Sequence, residues 1–272
     1  MKHEYYWIPI PGVDVKERLT GRLIVLEGTD GVGRSTQTRM LRDWLESSGL
    51  AVYDTGLRRG NLAGEHIAAA KEGHTMGRRT QCLFYATDFA DRLENEILPA
   101  LRAGYVVITD RYIYSLIARA AVRGVERDWL RHLYGFALKP DLVLYLNTTL
   151  DKLLPRVLAS SGFDYWESGM DYLHEETMYD AFMKYQRALL GEFDVMAEEF
   201  GFVQVDANNS VREVFAELQR HVEPVVGDML PAGQAQFTQF TGPVLPMEEP
   251  GEERATLSDT LRDFLSSLLE EK

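Results

Sequence analysis

Short apolar runs alternate with longer stretches of helical period over most of the chain, from about Leu23 to Val226. Five of these runs are continuous and rich in β-branched or aromatic residues, which is typical of strands that helices cover on both faces. The predicted strands are 23–26, 51–53, 105–108, 142–146 and 202–205. The alternation predicts an α/β fold in which a five-stranded parallel sheet lies between two layers of helices.

The stretches between the strands, and those after them, have the 3.6-residue period of helices. The predicted helices are 35–48, 63–72, 78–102, 112–122, 127–136, 150–159, 171–200 and 210–222. Ser160, Ser161 and Gly162 interrupt the helical pattern after the fourth strand. We expect this break to open a mobile lid.

The chain outside this pattern divides into an N-terminal extension (1–20), which precedes the body at 21–226, and a linker (227–255). The extension contains Tyr5, Tyr6 and Trp7, so we expect it to pack on the body or on a partner. Residues 227–255 combine Gly, Pro, Gln and Glu with little periodicity, which is typical of a linker.

The last segment, residues 256–272, is predicted to form a short acidic helix. Its apolar residues, from Leu257 to Leu269, form a narrow stripe at helical spacing. The stripe fits docking onto the protein's own surface or onto a dimer mate, and it also fits a peptide-like tail for another protein. Membrane attachment is disfavoured, because anionic lipid would repel the acidic polar face.

The composition, 45% hydrophobic and 26% charged over 272 residues, is that of a folded globular protein and excludes a fibrous or wholly disordered chain. No apolar run reaches the length of a membrane span, and the start MKHEYYWIPIPG lacks the apolar stretch of a secretory signal. A cytoplasmic protein is therefore expected. Cys82 is the only cysteine, which excludes an internal disulfide, and we expect it to be buried.

The formal net charge is −13, from 29 basic and 42 acidic residues, and it disfavours a general role on nucleic acid. Residues 227–272 hold nine acidic and three basic residues, so they carry −6 and the rest of the chain carries −7. A body that is only modestly acidic can still concentrate arginines where phosphates bind.

The segment directly after the first strand reads G-T-D-G-V-G-R-S-T, from Gly28 to Thr36. It nearly fits the phosphate-binding loop, in which glycines let backbone N–H groups surround a triphosphate at a helix N-terminus. Arg34 stands where that pattern has lysine. It keeps the positive charge but is bulkier and forked. The segment predicts ATP binding, with the Ser35 hydroxyl offered to Mg²⁺ and Thr36 either capping the helix or touching the α-phosphate. The alternative is an ordinary glycine-rich turn.

Five segments of the chain follow one another in a recognisable order. They are Glu27–Gln37, the helix residues 83–88 with 97–101, D-R-Y-x-x-S at Asp110–Ser115, the strand 140–146, and 205–207 with Asn208, Ser210 and Val214. In this order they resemble the thymidylate kinases, a family of P-loop nucleoside monophosphate kinases, and the match extends over about residues 21–222. The resemblance implies a P-loop NTPase-type three-layer αβα fold, a homodimer, and transfer of phosphate from Mg²⁺-bound ATP to dTMP in nucleotide biosynthesis.

Asp110 and Arg111 follow the third strand, at the edge of the sheet where ligands of parallel sheets bind. There Asp110 can hold a Mg²⁺-bound water and Arg111 can grip the acceptor phosphate, so that with Arg34 they form the predicted catalytic set. Tyr85 either stacks on the base, as the resemblance implies, or is simply part of the core. The acceptor contacts implied are Asp30, Glu65, Tyr85, Arg111 and Ser115, and the cofactor contacts are Gly28, Asp30, Gly31, Gly33, Arg34, Ser35, Thr36 and Ala207.

The chain departs from the family pattern on the acceptor side. The family's thymine-reading arginine falls on Phe89, its tyrosine and glutamine fall on Arg119 and Ala120, and its R-E-P-G-G-T turn is replaced over 56–61. Two alternatives stay open: a nucleotide-binding regulatory protein with little turnover, and a kinase for another phosphorylated acceptor. Neither the loop nor the lid has the family's catalytic arginine, and the candidates to replace it are Arg58, Arg59, Arg78, Arg79, Arg119 and Arg156.

Overall fold

The computed structural model describes residues 3–10, 19–57, 76–160, 162–173, 177–232 and 236–242. Within these ranges, five strands form one fully parallel sheet in the order β2-β3-β1-β4-β5. The strands are β1 (Arg22–Glu27), β2 (Val52–Gly56), β3 (Val106–Asp110), β4 (Leu142–Asn147) and β5 (Val203–Asp206). The five-stranded parallel sheet predicted from the apolar runs is confirmed, with shifts of at most three residues at the strand ends.

Eight α-helices lie in the described part of the chain and cover both faces of the sheet. They are α1 (Arg34–Ser47), α2 (Arg78–Arg92), α3 (Leu98–Arg102), α4 (Ile113–Val122), α5 (Arg127–Leu133), α6 (Leu150–Ala159), α7 (Met178–Phe200) and α8 (Val211–Val226). A 3₁₀ turn, Gly227–Met229, follows α8. The helix predicted over 63–72, the tail helix 256–272 and the site residues Arg58, Arg59 and Glu65 lie outside the described residues.

Successive residues of β1 point to opposite faces of the sheet and enter two separate cores. Leu23 and Val25 pack in a core with α2, α4 and α7, whereas Ile24 and Leu26 pack in a core with α1 and α8. All six residues of β1 are buried, as a central parallel strand requires. The residues that follow β1 are thereby fixed at the carboxyl edge of the sheet.

The helix predicted over 171–200 begins later, at Met178, so the prediction was wrong for residues 171–173, which are not helical. Thr177 is the N-cap, because its hydroxyl accepts a hydrogen bond from the Asp180 backbone N–H at 3.1 Å. A capping side chain satisfies one of the free N–H groups of the first turn and so sets the helix start.

The helix predicted over 78–102 contains an irregularity that the period did not indicate. A π-helical turn, Leu93–Ile97, joins α2 to α3, and Pro99 is the second residue of α3. Proline has no N–H to donate to the preceding turn, and π turns are one way in which a helix accommodates such a break.

The N-terminal extension packs on the body, which is one of the two arrangements predicted for it. Tyr6 donates its backbone N–H to the Ala137 carbonyl at 2.9 Å, and its ring contacts those of Tyr114 and Phe200. His3 is buried and hydrogen-bonds the Gly21 carbonyl through Nε2 at 3.2 Å. These contacts place residues 3–10 against the end of the sheet that lies away from the phosphate loop.

Residues 236–242 lie in the range interpreted as a linker, yet they pack against α1 and α8. The Trp44 indole N–H donates to the Thr238 carbonyl at 3.0 Å, and the Phe237 ring lies 4.9 Å from the Trp44 ring. The Phe240 ring lies 4.8 Å from Phe215. We call residues 236–242 the C-terminal strap. The strap covers the C-terminal end of α1, and the phosphate loop leads into the N-terminal end of the same helix.

Truncation at two points measures what this packing contributes. We expect a chain lacking 228–272 to lose about 2–4 kcal/mol of unfolding free energy relative to one lacking 243–272, since only the first deletion exposes Trp44 and removes the strap's hydrogen bonds. The first deletion also removes the Arg22–Asp228 ion pair. Urea unfolding of both truncated chains gives the difference, and equal midpoints would contradict the role of the strap.

No described helix is both long enough and apolar enough to cross a membrane.

Candidate active site

The loop between β1 and α1 curls tightly at the carboxyl edge of the sheet. Gly28 has φ +146°, and a Cβ there would lie 2.9 Å from the Leu146 carbonyl oxygen. At Gly31, with φ +79°, a Cβ would lie 2.7 Å from a methyl group of Val157 in α6. Only glycine fits at either position, because backbone and α6 approach too closely for a side chain. Gly33 precedes the first residue of α1 as its N-cap.

Arg34 folds back into the loop. Its guanidinium donates to the Gly28 carbonyl at 2.7 Å, to the Thr29 carbonyl, and through Nε to Asp110 at 2.7 Å. Asp110 and Asp30 outweigh the effect of burial and raise the pKa of Arg34, so it stays charged. The loop therefore holds a fixed positive charge at the position predicted from the sequence.

Ser35 and Asp110 meet beside this charge. The Ser35 hydroxyl is exposed and donates to Asp110 Oδ2 at 3.3 Å. A hydroxyl and a carboxylate side by side are oxygen donors of the kind Mg²⁺ prefers, so the two predicted metal-side residues fit the ion. Thr36 is buried in the first turn of α1. No group of three or more His, Cys, Asp or Glu in the described ranges forms a ready-made metal cage.

Arg111 is held in an uncommon backbone conformation, with φ +73°. Its Nη1 donates to the Gly28 carbonyl at 3.0 Å and to Ser115 Oγ at 2.9 Å, and its Nη2 donates to Asp30. Burial, together with the charges of Arg119 and Arg34, lowers the pKa of Arg111 to about 10. An anion bound beside it would relieve this repulsion.

Three arginines converge on Asp30. Arg111 and Arg119 bind its two carboxylate oxygens, the second at 2.5 Å, and Arg34 lies 3.9 Å away. Burial opposes ionisation of Asp30, but the three positive charges prevail and hold its pKa well below the usual range. Of the six arginines considered as replacements for the missing one, Arg119 is the one that the structure brings to the loop within the described residues.

Glu27 holds the turn that carries Arg111, although the sequence analysis assigned it no role. Its fully buried carboxylate accepts hydrogen bonds from the backbone N–H of Tyr112 at 2.8 Å and of Ser115 at 3.2 Å. It also accepts from the Ser115 hydroxyl at 2.5 Å. Burial raises the pKa of Glu27, although these hydrogen bonds and Arg111 act against the rise. The one sequence signal for such a role was the position of Glu27, an acidic residue at the end of a strand that is otherwise typical of a fully buried one.

Ser115 is fully buried between Glu27 and Arg111. Its hydroxyl is therefore already engaged by the protein, and contact with substrate stays a prediction. Ala207, at the end of β5, is buried and donates its N–H to the Asn147 carbonyl at 2.8 Å. Ala207 lies at the carboxyl edge of the sheet, as the phosphate loop does, and its contact with the cofactor also stays a prediction.

A pocket opens beside Asp30 between α2, α4 and the segment that precedes α7, and we call it the acceptor pocket. Arg119 lies in its wall, so the pocket meets the arginine cluster directly. Its floor is largely apolar, and Cys82, buried as predicted, has its pKa raised to about 11 by burial. The residues that line it include Arg78, Gln81, Cys82, Tyr85, Leu116 and Arg119.

Tyr85 is half-buried and lines this pocket, which suits the predicted stacking on a base. Phe89 does not line it. The Phe89 ring is fully buried 5.1 Å from that of Tyr112, in the core beneath α2. Ala120 lies in the pocket wall but has no polar group. The three departures from the family pattern therefore remove polar groups or place a charge at the edge of this pocket.

Residues 162–173 form the far wall of the pocket and contain two acidic residues, Glu167 and Asp171, to which the sequence analysis assigned no role. Arg123 binds both carboxylate oxygens of Asp171, at 2.8 and 2.9 Å, and donates to the Trp166 carbonyl at 2.8 Å. Glu167 lines the pocket, where the charge of Asp30, followed by burial, raises its pKa to about 7. Gly162, at φ +69°, donates its N–H to the Val157 carbonyl and ends α6 at the predicted break. Movement of this segment stays a prediction.

A family model described as thymidylate kinase matches residues 26–218 of the chain. The chain is 37% identical over 204 residues to a probable thymidylate kinase 2 of Saccharolobus solfataricus, a match that covers 74% of this chain and 95% of the relative. It is 35% identical over 218 residues to a thymidylate kinase of Clavibacter michiganensis, covering 76% and 97%. A probable thymidylate kinase of Thermococcus gammatolerans is 31% identical over 213 residues, covering 75% and 96%.

Proposed function

Because this chain belongs to the thymidylate kinase family, we propose that it transfers the γ-phosphoryl group of ATP to dTMP and forms dTDP. The observation that carries the proposal is the cluster of Arg34, Arg111 and Arg119 around Asp30, between the phosphate loop and the acceptor pocket. Phosphoryl transfer needs two phosphate groups brought together with their negative charge neutralised, and this cluster supplies the charge. The family consists of kinases, which favours an enzyme over a protein that only binds nucleotide.

The acceptor phosphate binds at Arg111 in this proposal. The guanidinium fork matches two phosphate oxygens, and it is already aimed at the junction of loop and pocket by Gly28 and Ser115. Phosphate would compete with the Asp30 carboxylate for Arg111 and free Asp30 to accept a hydrogen bond from the sugar hydroxyl. Tyr85 would then stack on the base.

The donor phosphates bind in the loop, where backbone N–H groups and Arg34 surround them. Ser35 and Asp110 are the residues that would hold Mg²⁺, which neutralises phosphate charge when it is bound. Arg119 would add the positive charge that the family takes from a loop or lid arginine. Arg34, Asp110 and Arg111 remain the proposed catalytic residues.

Substitutions of Arg34 separate the effect of its positive charge from the effect of its forked guanidinium. We expect Arg34→Lys to keep turnover within about tenfold of the wild type, because the charge near the phosphates is retained, whereas Arg34→Met should lose on the order of 10²–10³-fold. Steady-state rates with saturating dTMP measure both. If the lysine variant were as inactive as the methionine variant, the fork rather than the charge would be required.

An acceptor panel tests the proposed function. The full-length protein is incubated with ATP and Mg²⁺ and with each common ribo- and deoxyribonucleoside monophosphate, and ADP and the new diphosphate are quantified by mass spectrometry. We expect dTMP to be the preferred acceptor. Preference for another monophosphate would move the function to a different acceptor, and no diphosphate from any of them would contradict the kinase.

We also propose that the enzyme works as a homodimer in the cytoplasm, a proposal that the family resemblance supports. Light scattering of the purified protein should give about twice the chain mass of 31.0 kDa. A mass equal to one chain at micromolar concentration would contradict the dimer.

A further inference from the structure

The acceptor pocket lacks the groups expected to read thymine. Phe89 is in the core, Ala120 has no polar atom, and Arg119 is committed to Asp30. The edge of a pyrimidine nevertheless carries a carbonyl oxygen and an N–H that lose their water when the base is enclosed. Leaving such groups unpaired costs about 1–3 kcal/mol each, so other side chains of the pocket must meet them.

The remaining polar side chains of the pocket wall differ in how far they are already engaged. Arg123 donates to Asp171, to the Trp166 carbonyl and to the Tyr185 hydroxyl, and so it is fixed. The side chains of Arg78 and Gln81, by contrast, make no hydrogen bond or ion pair with any residue of the described ranges. Both line the pocket, so their polar groups are available to a ligand.

Arg78 and Gln81 stand three residues apart on α2, and Gln81 precedes Tyr85 by four. Residues at these separations share one face of a helix. A base stacked on Tyr85 therefore turns an edge toward the Gln81 amide, while Cys82 and Leu116 provide apolar floor. The stacking residue and the amide are presented by the same helix face.

We propose that the Gln81 amide reads the base edge of the acceptor, and that Arg78 restricts that base to a pyrimidine with a carbonyl at position 4. The inference rests on the proposed function, since it assigns the base of that acceptor. The amide has a donor and an acceptor side by side, which match the O4 and N3–H of thymine. Rotated by half a turn, the same amide also matches cytosine.

Arg78 resolves this ambiguity because its guanidinium only donates. It can pair with the O4 of thymine or uracil, but it cannot accept from the 4-amino group of cytosine. A site that pairs the correct group and opposes the wrong one discriminates more strongly than a site of matching shape alone. Gln81 supplies binding and Arg78 supplies the selection.

Titration calorimetry of the full-length protein with dTMP and with dCMP tests the assignment. Gln81→Met keeps the length of the side chain without its hydrogen bonds, and we expect it to weaken dTMP binding roughly 10–100-fold. Arg78→Met removes the guanidinium that selects the carbonyl at position 4, and we expect it to lower the preference for dTMP over dCMP roughly 10-fold or more. Thr87→Val is the control, because Thr87 is exposed on α2 and bonds its own helix.

The ratio of the dTMP and dCMP affinities tests the role of Arg78, since a merely structural role would weaken the binding of both ligands alike. The assignment is overturned by an unchanged ratio in Arg78→Met, by dTMP binding in Gln81→Met within about twofold of the wild type, or by a wild type with no preference for dTMP. A wild type that prefers dTMP by this pairing but forms no dTDP would support the assignment and overturn only the proposed kinase activity.

Discussion

Arg111→Ala is expected to lower kcat/KM for dTMP by on the order of 10²–10³-fold or more. The variant removes the fork proposed to hold the acceptor phosphate, and it leaves Asp30 with one arginine fewer. It also leaves the Gly28 carbonyl without that donor. Initial rates at varied dTMP, with saturating ATP and Mg²⁺, measure the loss.

Two further variants define the effect of Arg111. Arg111→Lys keeps the charge without the fork, so it should recover only part of the activity. Arg131→Ala removes an arginine whose ion pair with Glu199 lies at the surface, and it should behave as wild type. Wild-type kcat/KM in Arg111→Ala would remove Arg111 from the acceptor site.

Glu27→Ala is expected to reduce the unfolding free energy by roughly 3–5 kcal/mol. The substitution leaves the N–H groups of Tyr112 and Ser115 and the Ser115 hydroxyl buried without their acceptor. Because those groups hold the turn that carries Arg111, activity should fall as well. Urea unfolding monitored by circular dichroism gives the stability change.

Glu27→Gln keeps one carbonyl acceptor in place and should cost less than Glu27→Ala. Glu46→Ala removes a glutamate that is exposed on α1, and its effect should stay within about 0.5 kcal/mol. If Glu27→Ala unfolded at the same urea concentration as Glu46→Ala, the buried carboxylate would not be what organises the turn.

The sheet and the position of the phosphate loop were predictable from sequence because both depend on local pattern. The continuous apolar runs identified all five strands, and the glycines of Gly28–Gly33 directly after the first strand located the loop. Asp110 and Arg111 were placed correctly beside it, since the carboxyl ends of parallel strands meet at one edge.

The features that the sequence left open or did not indicate depend on contacts between residues distant in sequence. Nothing local to Arg119 indicates that it reaches Asp30, and nothing local to Glu27 indicates that it binds Ser115 across 88 positions. The C-terminal strap was interpreted as linker because residues 236–242 lack periodicity. An extended segment with no repeat can still pack when aromatic side chains such as Phe237 find a partner ring.

The most direct measurement of the central claim is transfer of label from ATP with radioactive phosphorus in the γ position, using the full-length protein, Mg²⁺ and dTMP. The account predicts that wild type forms dTDP labelled in its outer phosphate, and that Arg111→Ala forms almost none. Wild-type protein that binds ATP while dTMP stays unlabelled would contradict it.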